Sequence, residues 1–176
     1  MKHLTTITLL IVTLMLSGCG QKLPDGMPKP YPVTITIIQD GKPLAGASVA
    51  LAPKNVTAGQ RYTAGAVTNT SGQAVIQTLS KYRGVIPGEY QITVLKTEFE
   101  VKPLDVAARV VPKGIDKDNP SLPKESVEGY YTVDMKYSTV STTPESITVE
   151  TKSNRKTIDV GKAVRLSVTE AHKNTN

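Results

Sequence analysis

The sequence predicts an all-β fold, an antiparallel β-sandwich of about seven or more strands, from three observations. Short apolar/polar alternations recur, as in "VTITII" (Val33 to Ile38) and "EYQITVL" (Glu89 to Leu95). A period of two puts successive side chains on opposite faces of a strand. Turn-forming pairs such as Asp40-Gly41, Ser71-Gly72 and Pro87-Gly88 punctuate the chain, and the short strands follow one another at the roughly 8–12-residue spacing of strand-rich domains. Beyond the N-terminal segment no stretch reads as a long helix.

From the start of the chain, Lys2 and His3 precede an apolar run from Leu4 to Leu16 broken only by threonines. These are the charged and hydrophobic regions of an export signal covering residues 1–18. A helix of that run would span about 20 Å, short of the ~30 Å hydrocarbon core, so a cleaved signal is expected rather than a permanent membrane helix.

"LSGC", Leu16 to Cys19, resembles the bacterial lipobox. The resemblance implies lipidation: diacylglycerol on the Cys19 thiol, cleavage before Cys19, and acylation of the new amine. Cys19 is the only cysteine, so it has no internal disulfide partner. Each buried methylene contributes about 0.8 kcal/mol, and several acyl chains hold a protein that one chain holds only reversibly. Gly20 stands where Asp directs such lipoproteins to the inner membrane. The resemblance therefore implies an exported protein anchored to the cell envelope, in the outer membrane of a Gram-negative cell.

Residues 19–32 read as the lipidated N-terminus and a linker, since Pro24, Pro28, Pro30 and Pro32 resist helix and central strand alike. A single domain over residues 33–170 follows, and residues 171–176 read as a frayed tail. In the first strand Val33, Ile35 and Ile37 share a face. Asp40-Gly41 signals a hairpin, with Pro43 and Gly46 implying a connection longer than two residues. "ASVALAP" turns Ala47, Val49 and Leu51 inward, "TAGAVT" puts Gly65 and Val67 on one face, and "AVIQT" does so for Ala74, Ile76 and Thr78. After a looped crossing at "LSKYRGVIPG", Tyr90, Ile92 and Val94 point inward on the cleanest strand. Residues 104–111, "LDVAARVV", fit a strand or a helix of about two turns, and a surface loop follows. "YYTVDMKY", "ESITVET", "KTIDVG" and "KAVRLSVTE" close the domain as extended pieces.

Three of these stretches, "DGKPLAGASVALAP", "TNTSGQAVIQT" and "GVIPGEYQITVLK", together resemble the carboxypeptidase-regulatory-like domains, relatives of transthyretin. "KYSTVSTTPESITVETKSNRKTIDV" resembles the closing hairpin of small secreted lipoproteins that carry the same module. The resemblance covers about residues 31–160. It implies a prealbumin-like or immunoglobulin-like sandwich with Greek-key-type connections, and it implies no chemistry, because turn glycines and prolines specify geometry.

Composition narrows the partners. The formal charge of +6 is spread along the chain without a run of four basic residues, which implies mild attraction to anionic lipid or polysaccharide. With no Trp and one Phe, an exported chain offers no stacking cluster to nucleic acid. Catalytic constellations are missing too. His3 leaves with the signal, His172 lies in the tail, and no HExxH, GxSxG or phosphate-binding loop is present. No catalytic residue, cofactor or metal site is expected. "KYRG" (Lys81 to Gly84) resembles the terminal motif of hydroxyisourate hydrolases, but here it stands mid-chain without their histidines, so Arg83 reads as a solvated loop residue. "DKDN" (Asp116 to Asn119) lacks the glycine and distant glutamate of a calcium loop and reads as solvated charge.

The remaining candidates for recognition are tyrosines. Tyr82 lies in a loop, and Tyr130-Tyr131 must point to opposite faces of a strand, exposing one of them; Tyr82, Tyr130 and Tyr131 are the weak ligand candidates. The expected function is a non-catalytic binding or structural module at the envelope, held to the membrane by its lipid, with polysaccharide or a protein as partner. Two alternatives are an envelope hydrolase using carboxylates assembled by the fold, and an accessory subunit whose sheet edge pairs with a larger complex.

Overall fold

The computed structural model describes residues 22–55, 62–103 and 125–173. Cys19, the signal, residues 104–111, Asp116–Asn119 and the last three residues of the expected tail lie outside them.

The alternation at Val33 becomes strand β1 (Val33–Gln39), with Val33, Ile35 and Ile37 buried on one face. Asp40 and Gly41 take φ of 51° and 71°, and Gln39 pairs with Lys42 of β2 (Lys42–Pro43). The connection is therefore two residues, not longer: Asp and Gly tolerate the positive φ that suits a tight hairpin between twisted strands. Pro43 falls at the end of the short pairing, where its missing N–H removes no further ladder bond.

The chain continues through β3 (Ser48–Pro53), β4 (Ala64–Val67), β5 (Gln73–Val75), β6 (Gln77–Thr78), β7 (Tyr82–Arg83) and β8 (Gly88–Leu95). It then forms β9 (Thr97–Pro103), β10 (Glu125–Tyr131), β11 (Ser146–Val149), β12 (Asn154–Asp159) and β13 (Leu166–Ser167). One sheet has the order β12-β1-β2, with β5 also on β1; a second has β11-β8-β3-β4-β6-β7; a third has β13-β10-β9. Ile35, Ile37 and Ile158 of the first sheet and Val49, Ile92 and Val94 of the second belong to one apolar cluster. The chain changes sheets at Ile76, since β5 pairs with β1 and β6 with β4. Ala74, Ile76 and Thr78 are all buried, as their spacing predicts, whereas Gly65 and Val67 share the outer face, with Val67 exposed.

The expected all-antiparallel pairing needs one correction. β12 runs parallel to β1, in register from Val33↔Asn154 to Ile38↔Asp159. A parallel neighbour needs a long crossover, and most of the chain lies between these two strands.

Two closing pieces are less extended than their sequences suggest. "YYTVDMKY" leaves the sheet after Tyr131, and Met135–Tyr137 form a 3-10 turn capped by the Asp134 carboxylate, which accepts the Lys136 N–H at 2.9 Å. Such a local bond competes with a ladder. In "KAVRLSVTE" only Leu166–Ser167 pairs, with β10. Helix α1 (Val168–Lys173) follows, so the expected tail begins inside a helix.

The proline-rich segment is docked on the domain from Leu23 onward. Met27 N–H donates to the Pro24 carbonyl at 3.1 Å, and Met27 is buried against Tyr82 and Ile86. Tyr31 and Val85 exchange two backbone hydrogen bonds of 2.8 Å. Gly84 makes this approach possible. Its φ is +102°, and a β-carbon there would collide with the Tyr31 carbonyl.

Asn154 joins this segment to β12. Its buried side chain accepts Glu150 N–H at 3.0 Å and donates to the carbonyls of Glu150 (3.1 Å) and Lys152 (2.6 Å), while its own N–H donates to Pro32 O at 2.8 Å. Asn154→Ala strips those side-chain bonds from backbone groups and should cost about 1–3 kcal/mol. Ser153→Ala, at an exposed neighbour, should stay within about 0.5 kcal/mol. Urea unfolding of the two variants measures the difference.

Candidate functional site

Tyr82 is buried rather than exposed, and a strained turn puts it there. Leu79 and Ser80, between β6 and β7, have φ of 54° and 55°, a left-handed geometry that β-carbons resist by roughly 1–2 kcal/mol per residue. Surrounding bonds hold it. Leu79 N–H donates to Thr63 O at 2.8 Å, Lys81 N–H to Thr78 O at 3.2 Å, and the buried Thr78 hydroxyl to Gly84 O at 2.7 Å. The Tyr82 ring packs with Met27 and Ile86, and Lys81 and Arg83 on either side of it remain exposed.

The Tyr31–Val85 bridge brings the N-terminal segment alongside. An open cleft of about 640 Å³ results, lined by Leu23, Lys29, Pro30, Gln77, Lys81, Tyr82 and Arg83. Lys29 Nζ stands 5.5 Å from the centre of the Tyr31 ring and Lys81 Nζ 5.4 Å from that of Tyr82, within cation–π range. Among the described residues no carboxylate lines the cleft, and no ion pair involves Lys29, Lys81 or Arg83.

Tyr130 and Tyr131 are both half-buried, so neither forms the open platform expected of one of them. They belong to the β9–β10 ribbon, where Glu100 and Glu128 face each other in register. Lys102 Nζ lies between them, 2.7 Å from Glu128 Oε2 and 3.8 Å from Glu100 Oε2, and donates to the Tyr130 hydroxyl at 2.9 Å. The Tyr130 hydroxyl donates to Glu128, and Arg165 donates to Glu100. The Arg165 guanidinium also lies 3.8 Å from the centre of the Tyr130 ring, covering its face. The opposite face of the ribbon is apolar and exposed at Phe99, Val101 and Val127.

The ribbon's electrostatics follow from these contacts. Hydrogen bonds from Lys102 and then Tyr130 hold the Glu128 carboxyl below the usual range, and the bonds to Glu128 and Tyr130 push Lys102 up. Arg165 is raised by its bonds to Tyr130 and Glu100. General acid–base work near neutrality asks for a carboxyl raised or an amine lowered. Both shifts here run the other way. The buried Tyr90, whose hydroxyl donates to Ile86 O at 2.8 Å, is pushed up to about 12 by burial and remains a neutral core group.

Sequence reasoning named Tyr82, read Arg83 as a solvated loop residue and missed Lys29, because the Tyr31–Val85 bridge and the packing of Met27 on Tyr82 and Ile86 join segments distant in the chain. Arg165 over Tyr130 carried no sequence signal either. Comparison with protein-family models and with curated proteins finds no match to this chain.

The Glu128 pairing has a pH signature. Its folded-state pKa lies below the unfolded one, so the pairing favours the folded state above the unfolded value and is lost as pH falls through the folded value. Carboxyl NMR titration should find Glu128 below the ordinary glutamate range, and Lys102→Met should move it back up. An unshifted Glu128 in the unsubstituted protein would contradict the pairing.

Proposed function

We propose that this protein is a lipid-anchored module of the cell envelope with a non-catalytic binding or structural role. The observation that carries this reading is "LSGC" at Leu16–Cys19 behind a short apolar run. The geometry supports a close tether. Only Gly20, Gln21 and Lys22 separate Cys19 from Leu23, which packs against the Met27–Tyr82–Ile86 cluster. At no more than ~3.6 Å per residue, Leu23 lies within about 14 Å of the lipidated residue. The domain itself we assign to the carboxypeptidase-regulatory-like, prealbumin-type sandwiches. Two facing sheets around one core and the turns at Gly41, Gly72 and Gly88 support that assignment.

A hydrolase would need a carboxyl raised to act as the acid, whereas hydrogen bonds from Lys102 and Tyr130 favour the charged form of Glu128. The accessory-subunit reading has one observation in its favour, the exposed Phe99, Val101 and Val127 on the ribbon.

Intact-mass measurement of detergent-extracted protein should show cleavage before Cys19 and added acyl mass, both absent in Cys19→Ala. A wild-type mature protein without acyl mass would overturn the anchored reading.

A further inference from the structure

Building on the lipid-anchored reading, we propose that the cleft beside Tyr82 binds the phosphate group of an acidic membrane lipid. Three cationic side chains, Lys29, Lys81 and Arg83, converge on one concavity that no carboxylate among the described residues lines. Lys81 and Arg83 directly follow a turn with two left-handed non-glycine residues, Leu79 and Ser80, a geometry that solubility alone would not require. Backbone strain of this kind persists where the surroundings over-determine it, and it concentrates at ligand sites. The aromatic rings beside Lys29 and Lys81 favour their ammonium groups near the cleft, and both lysines are exposed.

The source of the phosphate follows from where the cleft sits. Leu23 forms part of its wall, so that wall lies no more than about 14 Å from the acylated cysteine by the reach of the chain. An anionic surface attracts basic side chains only within about a Debye length, ~8–10 Å at physiological salt. The tethered end is the part of the domain that the reach of the chain allows into this range. Lys42 and Lys162 stand near the other end of β1, where Asp40 N–H meets Gly161 O. Leu23 and Pro30 supply an apolar wall suited to the glycerol and first methylenes of a lipid, which a free phosphate would not use.

The test uses the mature protein in neutral detergent, titrated with short-chain phosphatidylglycerol, short-chain phosphatidylcholine or inorganic phosphate while amide resonances are followed. Phosphatidylglycerol should shift Lys81, Tyr82 and Arg83 saturably, and phosphatidylcholine at the same concentrations should not. Lys81→Gln/Arg83→Gln, at exposed positions, should weaken the effect at least tenfold, and Lys42→Gln/Lys162→Gln should leave it unchanged. Absence of saturable shifts, or equal binding by the Lys81→Gln/Arg83→Gln protein, would overturn the site. Inorganic phosphate binding as tightly as phosphatidylglycerol would overturn the lipid as its source. The mass of the same sample reports acylation at Cys19 separately, so failure of the tether and failure of the cleft give different results.

Discussion

Strand β1 is the constraint on which the rest of the molecule depends. It pairs with β12 along one edge and with β2 and β5 along the other, while Val33, Ile35 and Ile37 fill the core beneath it. A register slip of one residue would turn those three side chains outward. Even the end of the strand is used. Gln39 continues the inward face, and its amide donates to Thr132 O at 2.7 Å, tying the main core to the segment that follows the β9–β10 ribbon.

From β1 the two ends of the domain acquire different characters. At one end the two-residue hairpin and the turn at Gly161 close the first sheet with backbone hydrogen bonds. At the other, the proline-rich segment, the Leu79–Ser80 turn and the Gly84 approach build a small second cluster around Met27, Tyr82 and Ile86. Prolines that looked like punctuation between tether and domain lie within this packed end. They have no N–H to satisfy, so the segment needs few partners beyond the Tyr31–Val85 bridge.

The ribbon shows how one strand pair serves two environments. Glu98, Glu100 and Lys102 alternate with Phe99 and Val101 along β9, and β10 repeats the arrangement with Glu128 and Val127. Opposed carboxylates would repel, and Lys102 with Arg165 removes that repulsion by charge-assisted bonds. These bonds are exposed, so they organise the surface more than they stabilise the fold.

Periodicity of two and turn chemistry are local properties, and for that reason the sequence alone determined the all-β class, the inward residues of β1, β3 and β8, and the hairpin at Asp40-Gly41. The motif ending at Cys19 is equally local, and so is the expectation drawn from it. Local pattern could not say which strand lies beside β1, because a parallel partner arrives from far along the chain and leaves no spacing to read. Nor could it assign "YYTVDMKY" or "KAVRLSVTE", where the Asp134 cap and the short α1 override strand-like composition. The cleft is the sharpest case. Lys81 and Arg83 are visible as two charges around a tyrosine, but Lys29 joins them through the Tyr31–Val85 bridge and the packing of Met27 on Tyr82 and Ile86. Convergence of distant charges is a property of three-dimensional packing, and tertiary structure alone decided it.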